Sequence, residues 1–525
     1  MGCRYVRINS RSHVKFFGFI FFILCVSCTE STSHVVPEKI DPIVELNKDF
    51  LQILSSSDTS SIFDFYRFSG NKTLWLNNDL ELNDRGKKLI DIISHAEDFG
   101  LFTHHYHLLD SIGQLEGISK DTALTKCFIE FAIDLKWGLL PMSFFKSRFS
   151  LPKYNKKQFI ELIGKKINDL QIDDLLLECQ PKHPQYLSII KSLKKFNARS
   201  NRSRDYVKVP TQKQDSLKSY QKSIEALKIH GFIDSTYNND SLLTLAIKDF
   251  QIEHGLNPDA VIGSNTSRLL SKSPFDYFLY AVTALEKWRK REEWRENRIE
   301  INIAGFELRH FKGNQETRRH KVIVGKKRTQ TSEMMDSIEY LVVYPYWNVP
   351  SSIVFNELLP KARKDSTYFS RNSYEVLSGR NIVNSRSINY NASFPYKVRQ
   401  KGGRSNALGL LKFIFPNTDH IYLHDTPSKA LFDKDVRAFS HGCIRLQDPL
   451  DLASDLLDID KNEYKIDTVK AIIKQRKRTR INLNNTLPIY IHYTMASGNN
   501  NSIVFHEDIY KKDEKLKLEL MKISE

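Results

Sequence analysis

"HIYLHDTPSKALFDKDVRAFSHGCIRL", His420 to Leu446, decides how this chain is read. It opens as a short strand. Alternation puts Ile421 and Leu423 on one face and Tyr422 and His424 on the other. With Ile421 and Leu423 facing a core, Tyr422 and His424 look toward a cleft. Nineteen positions after His424 comes Cys443, inside the glycine-containing turn "SHGC". The segment "DPLDLASDLLD" then reads as a helix, with Asp448 the expected N-cap and Pro449 the first helical residue. The cysteine therefore sits on a loop between extended structure and a helix, where a thiol is exposed and neighbouring N–H groups converge.

These residue types suit nucleophilic acyl transfer. The thiolate is the attacking species, and a free cysteine ionises only near pH 8.5. An adjacent imidazole takes the thiol proton and later hands one to a leaving amine. The tetrahedral oxyanion needs N–H donors. Gly442 permits close backbone approach, and the amides of Gly442 and Cys443 are the expected donors. By position alone both His424 and His441 are candidate bases. The spacing of His420, His424, His441 and Cys443 also admits a metal reading, but a ligand thiolate has no need of the glycine turn. No metal and no cofactor are expected.

Outward from this stretch, "RIEINIAGFELRHF" and "RHKVIVG" alternate with period 2, placing Ile301 with Ile303 and Val322 with Val324. "IEYLVVYPYWNVP", "PIYIHYT" and "SIVFHED" add strands. Between about residues 350 and 401 a long polar stretch with a helical start reads as a lid-like insertion. Residues 46–214 are helical in pattern; "RGKKLIDIISHAEDFGLF" puts Leu89, Ile92, Ile93 and Ala96 on one face. Residues 215–272 form a compact unit of three short helices. The fold class is α+β: a helical scaffold, the three-helix unit, then a β-rich domain over 273–525.

The N-terminus places Arg4, Arg7, Arg11 and Lys15 before "FFGFIFFILCVSC", which is too short to span a bilayer comfortably and fits a secretory signal over 1–28. Ser27 before Cys28 resembles a bacterial lipoprotein signal, with Cys28 lipidated and 29–45 a polar tether; Cys25 stands where Leu is usual. Export to the periplasm or cell envelope, with a lipid anchor to the membrane, is the expectation. The net charge of +16 favours anionic partners, and export excludes nucleic acid in favour of a carboxylate-rich wall polymer. Of six cysteines only Cys127, Cys179 and Cys443 lie beyond the signal, so there is no disulfide framework. Cys127 and Cys179 are either paired or buried free thiols.

The spacing of His424 and "SHGC" resembles the signature of the L,D-transpeptidase (YkuD-type) family. "PYWNVPSSI", "RQKGGRSNALGLLKFIFPN" and "IYLHDTP…RAFSHGCIRL" resemble its YcbB-like subgroup, which also carries a helical N-terminal region and a peptidoglycan-binding domain. Residues 215–272 resemble that domain through Ala246, Phe250, Gln251, His254, Gly255, Leu256, Asp259, Ile262, Gly263 and Thr266, with Ala260 where Gly is usual. The resemblance implies Cys443 as nucleophile and His424 as proton donor and acceptor. It implies Asp425 as orienter of the imidazole through its backbone carbonyl, and His441, Gly442 and Ser440 as oxyanion and loop residues. Tyr422, Trp347 and Arg445 are implied substrate contacts; many members have Asn where this chain has Arg445. The implied reaction joins peptidoglycan stem peptides by 3→3 cross-links through a cysteinyl thioester, releasing D-alanine. The alternatives are an L,D-carboxypeptidase using water, or a non-catalytic wall-binding lipoprotein that holds glycan.

Overall fold

The computed structural model describes residues 60–145, 155–234, 239–292, 294–499 and 502–525. The expected signal, the tether and Cys28 lie outside these residues.

Helices α1 (Ser60–Ser69), α2 (Asp84–Ser94), α3 (Gly117–Trp137), α4 (Lys156–Lys166) and α5 (Ile172–Cys179) pack around α3. α3 is central because it is apolar nearly all round, burying Leu124, Phe128, Phe131 and Leu135. Its one buried acid, Asp121, accepts the N–H groups of Leu74 (3.0 Å) and Trp75 (2.8 Å) and the Tyr66 hydroxyl (2.5 Å). Cys127 and Cys179 are both free and buried. Burial pushes each thiol up to about 12, which makes them inert packing residues.

A second core joins parts that are far apart in sequence. Helix α6 (Pro184–Ser200), the three short helices α7 (Ser216–Ile229), α8 (Asp240–Glu253) and α9 (Ser264–Leu270), and helix α10 (Pro274–Arg289) share it with the chain's C-terminal elements. Its members include Leu193, Phe250, Phe278, Leu285, Phe505 and Leu520. The β-rich domain expected from residue 273 therefore starts later. α10 is buried along its whole length in helical company, and the first strand begins at Arg298.

The main sheet contains β1 (Arg298–Asn302), β2 (Glu307–Lys312), β3 (Gln315–Gly325), β4 (Met334–Val343), β9 (Leu411–Ile414), β10 (Leu423–His424), β11 (Ala438–Ser440), β12 (Ile444–Leu446) and β13 (Thr479–His492). Its order is β11-β3-β12-β10-β9-β4-β13-β1-β2, and a β2–β3 pairing closes it on itself. Closure removes most free edges and encloses Ile301, Val324, Leu341, Phe413, Leu423 and Ile444. Helices α11 (Pro449–Ile459) and α12 (Ile466–Lys474) cover one side through Leu452, Leu456 and Val469. The alternation in β1 does not give one wet face: all five residues are buried. The polar face carries Glu300, which accepts from Arg298 (2.6 Å) and pairs with His183 (2.9 Å), the N-cap of α6.

The insertion builds its own small sheet, β5 (Trp347–Asn348), β8 (Lys397–Gln400), β6 (Tyr374–Ser378) and β7 (Asn381–Val383), in that order. A π-helical turn, Val354–Leu358, packs over it. Leu358, Phe369, Val376, Tyr390, Phe394 and Val398 form a separate core. The remaining strands, β14 (Ala496–Asn499) and β15 (Ser502–Phe505), make a hairpin that belongs to the second core with α13 (Glu514–Ile523).

Candidate active site

The site lies where β9, β10 and β12 run side by side. Asn417 fixes the turn into β10: its Oδ1 accepts the Ile421 N–H (2.9 Å) and its amide donates to the Ile421 carbonyl (2.8 Å). β10 pairs with β12 in parallel, His424 opposite Arg445, and with β9 antiparallel, His424 opposite Lys412. Side chains at paired positions share a face, so Lys412, His424 and Arg445 form one row. One step back, the Ile444 N–H donates to the Tyr422 carbonyl (3.1 Å), which sets Cys443 beside Tyr422. Burial first, then the neighbouring Cys443 sulfur, push the Tyr422 phenol well above its ordinary range, with Trp347 opposing the shift. The thiol itself reaches the His420 carbonyl at 3.7 Å.

His424 is buried, and its Nδ1 lies 2.5 Å from the Asp425 carbonyl oxygen. That contact places the proton on Nδ1 and leaves Nε2 as the acceptor. Burial first, then the charges of Arg445 and Lys412, lower the imidazole to about 3, so the ring is neutral at physiological pH. Burial likewise raises the Cys443 thiol, against the hydrogen bonds from Tyr422 and the cations Lys412 and Arg445. The resting pair is a thiol with a neutral imidazole, and no hydrogen bond joins the two among the described residues.

Asp425 is held from three sides. Its carboxylate accepts the N–H groups of Leu410 and Thr426 (2.8 and 2.7 Å) and the Lys429 ammonium (2.8 Å). Gly409 makes this approach possible: at φ +58°, a Cβ there would lie 2.2 Å from the Asp425 Oδ2.

The nucleophile loop is tied down by its own serine. Ser440 Oγ donates to the Cys443 carbonyl (2.5 Å) and accepts the Gly442 N–H (3.1 Å). The Gly442 amide is therefore committed to Ser440 and is not an oxyanion donor in this structure; of the expected pair, only the Cys443 N–H remains for that role. Gly442 has φ +114°, a backbone state that glycine adopts without steric cost. The segment Lys326–Thr331, which sequence reasoning passed over, supports the loop from below. Thr331 Oγ1 donates to the Gly442 carbonyl (2.7 Å) and Thr329 Oγ1 to the Ser440 carbonyl (3.1 Å). Two threonines after a buried strand and a glycine were the only sign of it in the sequence.

His441 turns away from the thiol. Its Nε2 pairs with Glu357 Oε1 at 2.6 Å, on the π-helical turn of the insertion. Arg445 and Lys412 are half-buried. Among the described residues neither has a carboxylate partner, and the Arg445 Nε has no hydrogen-bond acceptor. Lys412 Nζ sits 3.5 Å from the Tyr422 ring centroid. Lys412 was absent from the sequence-derived site, because only the β9–β10 register brings it there.

In the three-helix unit Ala246, Phe250, Gln251, His254, Ile262 and Thr266 of the resembling pattern are buried, while Asp259 is exposed. Gln251 donates to Asp259 (2.8 Å), to the Val261 carbonyl (3.1 Å) and to Thr266 (3.2 Å), and accepts the Ala260 N–H (2.9 Å). His254 stacks on Phe250 at 3.8 Å. Ala260 has φ +61°, the position where glycine was the expected residue. Asn257 and Asn265 reach across to Asp435 on the segment before β11 (2.7 and 3.1 Å).

A cysteine on a glycine turn between β11 and β12, sharing a face with a tautomer-fixed histidine on the adjacent strand β10, can support sulfur nucleophilic catalysis. Residues 296–491 match the family model described as the L,D-transpeptidase catalytic domain, YkuD, and residues 60–193 match that of the Scaffold domain. A Haemophilus influenzae protein named, provisionally, as an L,D-transpeptidase is 36% identical over 227 residues. That alignment covers 42% of this chain and 46% of the relative, so the chain spans about half the length of the curated relative it matches. Solved structures include an Enterococcus faecium L,D-transpeptidase cysteine-to-serine mutant (9% identity, TM-score 0.16, 38% of this chain and 50% of that one). The Ldtfm-avibactam carbamoyl enzyme also appears (10%, 0.18, 53% and 99%). TM-scores this low do not establish a common overall fold. The sequence match makes the sheet domain, residues 296–491, similar to the YkuD L,D-transpeptidase catalytic domain.

Proposed function

We propose that this chain is a peptidoglycan L,D-transpeptidase that forms 3→3 cross-links through a thioester on Cys443. The observation that carries the reading is the shared face of Cys443 and His424, with the imidazole fixed by Asp425 so that Nε2 is the free nitrogen. His424 Nε2 takes the thiol proton as sulfur attacks the carbonyl of the stem's third residue. The Cys443 N–H meets the oxyanion. The C–N bond then breaks, and His424 returns the proton to the leaving amine of D-alanine. In the second half, the side-chain amine of another stem attacks the thioester. His424 takes the proton that amine loses and passes it to the departing sulfur, restoring the thiol. Two acyl transfers replace one harder step.

The basic balance of the chain and its apolar N-terminal segment support an exported protein, lipidated at Cys28 and facing the wall. The three-helix unit supports wall contact by resemblance alone, since its polar residues Gln251, Asp259 and Thr266 bond to one another.

The test is intact-protein mass spectrometry of the mature chain with a carbapenem, followed by tetrapeptide stems. One drug adduct on Cys443, lost in Cys443→Ala, and dimeric stems as product are expected. Monomeric tripeptide as the sole product would make the chain a carboxypeptidase, and no adduct on folded protein would sink the enzymatic reading.

A further inference from the structure

The row Lys412–His424–Arg445 places a cation on either side of the catalytic imidazole. Burying charge without a counter-ion is costly. Yet among the described residues neither cation has a carboxylate within ion-pair distance, and the Arg445 Nε is enclosed with no acceptor. The Tyr422 ring under Lys412 offsets part of the cost for that one ammonium. Glu357, an acid of the insertion, is committed to His441. A further base, Arg478, adds to the same field at Lys412. Among the described residues the one anionic partner in reach of both is the Cys443 sulfur, which burial holds as a neutral thiol at rest, so the half-buried cation pair suits an anion carried by the substrate.

We propose that Lys412 and Arg445 form a carboxylate-reading subsite that holds the free C-terminal carboxylate of the leaving residue. This deepens the proposed function and rests on it. The geometry follows from covalent structure. His424 must deliver a proton to the leaving amine, and in an α-amino acid the carboxylate carbon lies about 2.5 Å from that nitrogen. An anion at that distance from a nitrogen facing His424 falls between the two neighbours of His424 in the row. Arg445 offers a planar fork and Lys412 a mobile point charge, which together suit one carboxylate. The subsite makes length a matter of charge. A stem ending one residue past the scissile bond presents the carboxylate, whereas a longer stem presents a neutral amide there and leaves both cations unpaired. Burial is the main reason His424 stays uncharged, and bound carboxylate offsets the smaller part that comes from Arg445 and Lys412, so the correct substrate makes imidazolium formation easier at the moment of attack.

The experiment compares two tetrapeptide donors, one with a free C-terminal carboxylate and one with a C-terminal carboxamide. Wild type, Lys412→Met and Lys412→Arg are used in the full mature chain. Wild type is expected to prefer the acid by about 100-fold in kcat/KM, the value of a hydrogen-bonded charge pair. Lys412→Met should cut that preference at least about tenfold, mainly by losing rate on the acid, and Lys412→Arg should restore most of it. A second measurement needs no stem: alkylation of Cys443 by iodoacetate against neutral iodoacetamide, whose ratio Lys412→Met should lower. Equal use of acid and amide by wild type would overturn the subsite. So would an unchanged acid-to-amide ratio in Lys412→Met. If neither donor is turned over but the alkylation ratio falls in Lys412→Met, the anion subsite stands and the transpeptidase reading fails.

Discussion

The three-helix unit and the face that carries His424 and Cys443 both present clusters of polar motif residues, and they use them in opposite ways. Around Gln251 the polar atoms find each other: Asp259, Thr266 and two backbone groups take up its amide. His254 keeps one unpartnered nitrogen, but its ring is walled in by Phe250, Tyr277 and Phe505. Around His424 the bonds run only behind the ring, through Asp425, and the front is left to cations with no acid. A polar pattern with its valences filled maintains a turn. A polar pattern with valences open toward one side awaits something from solution.

The contrast breaks most sharply on substitution. His424→Ala should slow acylation of Cys443 by about 10³-fold, within the range of general acid–base catalysis, while shifting the unfolding midpoint little. His441→Ala, whose partner is Glu357, should cost less than about tenfold. Comparable losses in the two variants, measured by carbapenem adduct formation against time, would falsify the assignment of the base. The reverse pattern is expected at Gln251→Leu. Orphaned buried groups there should lower stability by about 2–3 kcal/mol in urea titration, with the acylation rate of the remaining folded protein unchanged.

Smaller effects sharpen the same contrast. Ala260 occupies a left-handed backbone state, which costs a non-glycine residue about 1 kcal/mol. Ala260→Gly should therefore raise the unfolding free energy by about 0.5 kcal/mol after the entropy of the extra freedom in the unfolded chain is subtracted. A loss of stability would show that the alanine methyl is packed usefully. The smallest change is expected with pH. The proton on His424 is disfavoured in the folded protein, to about 3, so the basic form persists as pH falls through the ordinary histidine range. The acylation rate should vary less than about threefold between about pH 5 and pH 7. An acid limb near 6.5 would mean that the imidazole is more exposed than this packing allows.

The division into helical and β-rich halves was legible because period 3.6 and period 2 are local signals. The neighbourhood of Tyr422, His424 and Cys443 was also legible, since one alternating strand and one glycine turn carry it. What escaped was set by distant partners. Lys412 reads as an ordinary outward residue of "LKFI" until the strand order puts it next to His424. The threonine brace acts across 111 residues. The His441–Glu357 pair depends on an insertion whose strands, of two to five residues, are too short for periodicity to reveal. Asp448, expected to cap α11 with its side chain, makes no such bond, because backbone position alone does not aim a carboxylate. The change to alternating strands was legible near its place, the first strand starting at Arg298, but which core Pro274–Arg289 enters was not, because a helix buried nearly all round carries no label for its partners.

The hairpin β14–β15 and helix α13 follow the catalytic sheet in sequence but pack with α6, α8 and α10. The polypeptide thus leaves the helical region, builds the sheet, and returns. For anyone dissecting this molecule, residues 296–491 are a recognisable segment but not a self-sufficient piece: a fragment cut there forfeits its closing strap and strips the helices of Phe505 and Leu520. Chimeras with relatives need to exchange helices α6–α10 and the last thirty residues as one cassette, and a nick near either seam should loosen both together.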